Sequence, residues 1–452
     1  SFREAVINGI APDRGLYFPQ EIRPLPPSFF EKIGAYDEQE IAFSAIRQFV
    51  GADIPEDELR TILGQVLDFE FPLVAIEEGV ATLELFHGPT MAFKDVGARF
   101  MARCLGYFSG DRKKEVTVLV ATSGDTGGAV ANGFLGVPGV QVVILYPRGK
   151  VSEIQERQLT TLGRNISALE VEGTFDDCQR MVKQAFLDAD LKQHTTLTSA
   201  NSINVARWLP QMFYFLFAYR QAADQGKELV FSVPSGNFGN ICAGMVAQRL
   251  GMPVTHFIAS TNINDTVPRF MQQGHYDPRP SLSTISNAMD VGDPSNFDRI
   301  RHLFDDDFQA LANHLTAYSF TDKETRKAIL HIYQHSGYVA DPHGAVGYLG
   351  VKKYQETHPH TYGIFLEPPT LSSSSTSWNR SWEKNWKYRR KSRRLWTGKR
   401  CRHQSPPTTN SNLSSLPRHA EHTPLGVLKT KGTTYRRSLY FQYICAVKNT
   451  AE

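Results

Sequence analysis

Short apolar runs that end in Gly, Ser or Asp and lead into helical periodicity constrain this chain more than any other feature. They are EVTVLVATSGDTGGAV (115–130), VQVVILYPRG (141–150), ELVFSVPSGNFGN (228–240), VTHFIAST (254–261) and YGIFLE (362–367). None alternates polar with apolar, as a strand with one wet face would, so they read as strands covered on both sides. Their alternation with helical stretches predicts an α/β fold with parallel sheets, in which ligands bind beyond the carboxyl ends of the strands. Residues 1 to about 70 read instead as a helical cap. DEQEIAFSAIRQFVG (37–51) sets Ile41, Ala42, Ala45, Ile46 and Phe49 on one stripe, and EDELRTILGQVL (56–67) repeats the pattern after an acidic first turn.

At 452 residues, 41% of them hydrophobic and 21% charged, the chain can bury a large core. No uninterrupted apolar stretch reaches the roughly 18 residues of a membrane span. The N-terminus lacks a signal-peptide pattern, and its start without Met suggests that a short leading segment is missing. Five scattered cysteines (Cys104, Cys178, Cys242, Cys401, Cys445) form no CxxC pair, which points to a reducing cytoplasm and away from a zinc or disulfide framework. The net charge of +3 hides a division. Residues 1–367 carry 32 Lys plus Arg against 43 Asp plus Glu, a net of −11, while residues 368–452 carry 17 against 3, a net of +14. Two compositions meet near Pro368.

Four stretches carry candidate chemistry. In LELFHGPTMAFKDVGARFMA (83–102), Lys94 lies among Met91, Ala92, Phe93 and Val96. Desolvation there would favour the neutral amine that Schiff base chemistry needs, although a surface lysine at a helix start has the same local pattern. Ser235, Gly236, Asn237, Phe238 and Gly239 form a strand-to-helix turn whose backbone amides can wrap a single phosphate. That loop is neither GxGxxG nor a Walker loop, so neither a dinucleotide nor ATP is indicated. Ser123, Gly124, Asp125 and Thr126, on the exit of another strand, offer hydroxyls and amides for a carboxylate, or simply cap a helix. SANSINVARWLPQ (199–211) supplies Asn201, Ser202, Asn204 and Arg207, a set suited to a phosphate ester or to a capped surface helix. His87 and His343 accompany no GxSxG elbow, which argues against a Ser/His/Asp hydrolase.

Taken jointly, FHGPTMAFKD, TSGDTGGAV, SANSIN and VPSGNFGN, in this order and spacing, resemble the threonine synthase family. The likeness continues through NDTVPRF (264–270) and SNAMDVGDPSN (286–296) to Glu367. It implies a fold type II, tryptophan synthase β-like α/β enzyme that uses pyridoxal 5'-phosphate. Two parallel-sheet domains follow the cap of residues 1–70. The catalytic region is 71–367, with the smaller domain at about 98–220. By this resemblance Lys94 forms the Schiff base and moves protons, and Ser235–Gly239 hold the cofactor phosphate. Ser123, Gly124, Asp125 and Thr126 face the substrate's amino acid end, and Asn201, Ser202 and Arg207 clamp the phosphate of O-phospho-L-homoserine. No metal, nucleic acid or membrane partner is implied, and the sequence leaves both a monomer and a homodimer open. A related threonine or serine dehydratase is the alternative enzyme, and a cofactor-binding but inactive chain the alternative outside enzymes.

The family continues its last strand with T-A-H-P, whose threonine meets the pyridine nitrogen; here Glu367 is followed by Pro368, Pro369, Thr370 and Leu371. The Ser-, Trp- and Arg-rich tail lacks any recognisable nucleic-acid-binding motif and too little of it is apolar for a core, so disorder is expected. The genetic code offers an origin. If one base had been lost at the Glu367 codon, a choice among the permitted codons for residues 367–391 yields ETAHPVKFVDIVEPVLGKKLEIPAE in the shifted frame. Because Trp has one codon, Trp378 with Asn379 forces Glu, Trp382 with Glu383 forces Gly, Trp386 with Lys387 forces Glu, and Asn385 with Trp386 forces Leu.

Overall fold

A computed structural model describes residues 1–13, 15–110, 115–122, 124–151, 153–368 and 429–430. The expectations for the tail after Pro368 therefore lie outside the described residues, Lys429 and Thr430 excepted. Two sheets organise the chain. The first contains β1 (Leu73–Glu77), β2 (Val80–Glu84), β7 (Glu228–Pro234), β8 (His256–Thr261), β9 (Leu315–Ser319) and β10 (Thr361–Glu367), in the order β1-β2-β10-β7-β8-β9. The second contains β3 (Val116–Ala121), β4 (Val140–Pro147), β5 (Ile166–Val171), β6 (Thr196–Ser199) and β11 (Lys429–Thr430), in the order β11-β5-β4-β3-β6. All pairings are parallel except the β1/β2 hairpin and the contact of β11 with Leu169 and Glu170 of β5.

Each of the five apolar runs forms a strand, and β3, β8 and β10 are buried along their whole length. Helices cover the sheets on both faces, which is why these strands show no polar alternation. Against the first sheet packs the helix Met212–Ala222, whose residues Met212 to Ala218 are all buried. Phe215 on it meets Phe231 of β7 and Phe257 of β8 edge-on, at centroid distances of 5.1 and 5.8 Å. The N-terminal helix Glu38–Val50 is capped by Asp37, which accepts from the Glu40 amide at 2.8 Å. Ile41, Ala42, Ala45 and Ile46 are buried as their spacing predicts, and Phe49 is half-buried. Arg220 donates to the Tyr36 carbonyl at 2.9 Å and so ties this cap to the helix Met212–Ala222.

The topology gathers the candidate residues. The Lys94 segment follows β2, residues 122–126 follow β3, residues 200–207 follow β6 and residues 235–239 follow β7. Each motif leaves the carboxyl end of its strand, where parallel sheets place ligands. One close approach fixes the relation between two of them. A side chain at Gly97 would land on the Arg207 carbonyl, so the helix Lys94–Ser109 reaches that backbone only because residue 97 has no Cβ.

Candidate active site

Lys94 is the first residue of its helix and is half-buried, with Nζ 5.1 Å from the Phe93 ring centroid. Of its sequence neighbours, Ala92 and Val96 are buried and Met91 and Phe93 half-buried. The loop before it is tightly held. Met91 takes a left-handed φ of 57°, its amide bonded to the Gly88 carbonyl at 3.1 Å. The Asp95 carboxylate accepts from the Thr90 amide at 2.9 Å and from the Thr90 hydroxyl at 2.5 Å, and the Tyr214 hydroxyl donates to the Phe93 carbonyl.

Burial pushes the Asp95 carboxyl from 3.8 up to about 6, against the bonds from Thr90 that favour its ionised form. A carboxyl raised in the folded state favours folding most fully below about pH 4 and loses that contribution as the pH rises through 6. Asp95→Asn can keep both Thr90 bonds with its amide reversed to suit. Its unfolding free energy, measured by urea denaturation relative to the native chain, should therefore grow between pH 4 and pH 7 by on the order of 3 kcal/mol. An equal difference at both pH values would place the Asp95 ionisation at its ordinary position.

Arg207 is buried and reaches both ways. Its Nε donates to the Ala200 carbonyl at 2.8 Å and its Nη1 to the Lys94 carbonyl at 3.0 Å. Burial pulls its guanidinium down to about 10, with Tyr214 and Asp95 opposing. The guanidinium thus braces the start of the Lys94 helix against the loop that follows β6. In that loop Asn201 is half-buried and turned locally, its amide on Ser199 Oγ at 3.3 Å, while Asn204 is fully buried and caps the helix Val205–Trp208.

Ser202 Oγ accepts from Asn237 Nδ2 at 2.7 Å, which joins this loop to the turn after β7. In that turn Ser235 is buried, its amide on the Ser260 carbonyl at 2.9 Å and its hydroxyl on the Val233 carbonyl at 2.8 Å. Phe238 holds a left-handed φ of 60° and no side chain caps the helix Gly239–Arg249 behind it. The Ile241 amide is taken by Asn240 Oδ1 at 2.9 Å, which leaves the amides of Gly239 and Asn240 ahead of it as the ones an anion can meet. A Cβ at Gly236 would come within 2.8 Å of the Ala288 carbonyl and 2.9 Å of Met289 Cα, so the turn exists only with glycine there. Such a bare, glycine-lined cradle fits the phosphate of pyridoxal phosphate.

After β3, Thr122 Oγ1 accepts from the amides of Gly124 and Gly127 at 3.0 and 2.9 Å and so performs the capping. Gly124 has φ 143° and Thr126 is half-buried. Ser123 and the side chain of Asp125 lie outside the described residues.

Sequence reasoning missed the wall opposite Ser202. Asn237 Oδ1 accepts from the Ser295 amide and hydroxyl at 2.7 and 2.9 Å, and Asn296 Nδ2 donates to Ser202 Oγ at 3.3 Å. Arg299 is buried directly behind them. The stretch SNAMDVGDPSN pointed there, without a pattern that singled out Asn296 or Arg299. Among the described residues no helix is long and apolar enough to cross a membrane, and no group of three or more His, Cys, Asp or Glu could hold a metal.

Residues 72–362 match the family model "Pyridoxal-phosphate dependent enzyme", and residues 1–66 match "Threonine synthase N terminus". The chain is similar to the threonine synthase of Escherichia coli K12, 44% identical over 367 residues that cover 81% of this chain and 84% of that one. It is also similar to the crystal structure of the E. coli threonine synthase, with TM-score 0.79 and 41% identity over 85% of this chain and 89% of that one. The pyridoxal-phosphate-bound threonine synthase from Brucella melitensis gives TM-score 0.77 and 32% identity over 84% and 90%. A strand-end lysine, a bare phosphate turn and these likenesses over most of both chains lead to one conclusion: the chain belongs to the threonine synthase family of pyridoxal-phosphate-dependent enzymes.

Proposed function

We propose that this chain uses the site gathered around Lys94 and Ser235–Gly239 to convert O-phospho-L-homoserine and water into L-threonine and phosphate. The observation that carries this reading is the 2.7 Å bond from Asn237 to Ser202, which puts two phosphate-suited loops side by side. A substrate with its own phosphate needs two such loops, and a serine or threonine dehydratase needs one. Pyridoxal phosphate, when bound, supplies the electron sink that makes protons at Cα and Cβ of an amino acid removable. Lys94 Nζ holds the cofactor and carries those protons. Ser235, Gly236, Asn237, Phe238 and Gly239 hold the cofactor phosphate. Ser123, Gly124, Asp125 and Thr126 receive the amino acid end of the substrate. Asn201, Ser202 and Arg207 receive its phosphate, Arg207 through Nη2, since Nε and Nη1 serve the Ala200 and Lys94 carbonyls.

In this reading residues 1–70 are a cap, 71–367 the catalytic region with its smaller domain at about 98–220, and 368–452 a frameshifted basic tail. The protein acts in the cytoplasm. Its described cysteines, Cys104, Cys178 and Cys242, are buried and unpaired, in keeping with that location. The deciding assay supplies cofactor-loaded protein with O-phospho-L-homoserine or with L-serine. Threonine and phosphate released in equal amounts from the first are the expected result; turnover of serine alone would make the chain a dehydratase.

A further inference from the structure

Arg299 is a buried cation whose bonding is complete and whose charge is not balanced. Its Nε and Nη2 donate to the Tyr17 carbonyl at 3.1 and 3.0 Å, and Nη2 also to the Ile203 carbonyl at 2.6 Å. Nη1 donates to the Ser202 carbonyl at 3.2 Å and to Asn296 Oδ1 at 2.5 Å. The guanidinium also lies 4.5 Å from the Trp208 ring centroid. All five N–H donors are thus used, and among the described residues no carboxylate pairs with it. An uncompensated buried charge is strongly unfavourable, so carbonyl dipoles alone make a poor resting place for it. A bound anion nearby would complete the balance.

The bonds also run in one direction. Because Asn296 Oδ1 faces Arg299, its Nδ2 must face the other way, where it meets Ser202 Oγ at 3.3 Å. Reversing the amide would set an N–H against a cation. On the other side, Ser295 donates twice to Asn237 Oδ1, which fixes Asn237 Nδ2 on the same Ser202 oxygen. Ser202 Oγ therefore accepts two N–H donors, which fill its two lone pairs, and its own proton is left to be given. Among the described residues no acceptor takes it. The surroundings suit an anion: Gly239, first residue of the uncapped helix, would bring a Cβ within 3.3 Å of Asn296 Nδ2 and 3.7 Å of Ser202 Cβ.

We infer that Arg299 and Asn296 are positioning residues that lock the Ser202 hydroxyl as a hydrogen-bond donor to the substrate's phosphate. The inference rests on the proposed use of O-phospho-L-homoserine, and adds the device that orients the donor and the charge that stands behind it. No covalent step is involved. Arg299 acts through Asn296 and through its field, and its distance from solvent keeps that field from being screened.

Three variants test it: Ser202→Ala, Asn296→Asp and the pair together, with inorganic phosphate as the probe. Binding is measured by calorimetry on the cofactor-loaded protein, alongside the melting temperature and the cofactor's own affinity. Asn296→Asp keeps the bond to Arg299, gains an ion pair and so should not melt earlier, yet it loses the donor to Ser202 and cancels the charge. Each single variant should weaken phosphate binding by about 10- to 100-fold, as for a hydrogen bond to a charged group. The pair should be no weaker than the worse single variant, because both act through one hydroxyl. Unchanged phosphate affinity in folded single variants, or losses that multiply in the pair, would overturn the inference. So would weakened cofactor binding with phosphate affinity intact, since the hydroxyl would then serve the cofactor. Failure of the native protein to turn over O-phospho-L-homoserine while these phosphate results hold would remove the functional reading and leave an anion device of the same construction.

Discussion

Lys94→Ala should leave a folded protein that forms no measurable threonine, and borohydride reduction of the native cofactor-loaded chain should label Lys94 alone. The geometry separates the two roles of this residue. Its carbonyl, and not its side chain, receives Arg207 Nη1 at 3.0 Å, so alanine keeps the brace between the Lys94 helix and the loop after β6. The side chain is half-buried at a helix start, where alanine is a good helix former, so the fold should survive its removal. Catalysis has no such reserve. Loss of a positioned proton carrier alone lowers a rate by about 100- to 10,000-fold, and loss of the covalent hold on the cofactor compounds it. Peptide mapping after reduction checks the site, and the melting temperature checks the fold. Label on another lysine, or threonine formation surviving in the variant, would remove Lys94 from its assigned place.

The loops that matter were legible because strand-to-helix turns need unusual residues. Gly236 and Gly239 stand where a backbone or a side-chain amide approaches closely, and a lysine between apolar neighbours is rare enough to notice. The parallel sheets were legible because β3, β8 and β10 are covered on both faces and have no reason to alternate. What escaped has the opposite character. β1 lies at an edge and pairs antiparallel, β5 mixes exposed with buried positions, and β6 has four residues, too few to establish any period. Arg299 and Asn296 act through contacts nearly 100 residues away in the chain, at Ser202, and no local pattern announces a pairing that only the tertiary structure makes. Arg207 was found by its chemistry, yet its hold on the Lys94 carbonyl, across 113 positions, could not be.

Restoring a single base after codon 367 should raise activity well above that of the chain as it stands, while the catalytic fold is already in place without it. Sheet one is complete through β10, which pairs with β2 and β7 and ends at Glu367. The Glu367 carbonyl accepts from the Leu85 amide at 3.0 Å, and its carboxylate accepts from the Asp341 amide at 2.7 Å, so the strand end is anchored on both sides. The other carboxylate oxygen, Oε2, is buried and has no hydrogen-bond partner among the described residues. Burial, with Asp341 and Glu84 adding repulsion, holds this carboxyl well above the usual carboxylate range. A buried polar atom left unpaired costs on the order of 1–3 kcal/mol, and Pro368, with no N–H, cannot relieve it. With GAA as the Glu367 codon, the shifted reading frame puts a threonine directly after Glu367, with both an amide N–H and a hydroxyl at this strand end. The measurement is a comparison of the two chains, purified in parallel, for melting temperature and for threonine formed from O-phospho-L-homoserine. A gain in both is expected, with the larger gain in activity, because a donor at the end of β10 sits where the carboxyl ends of β2 and β7 converge on the loops proposed to hold the cofactor. Equal activity and equal melting would mean that residues 368–452 serve the enzyme as they are, and the frameshift reading would have to be given up.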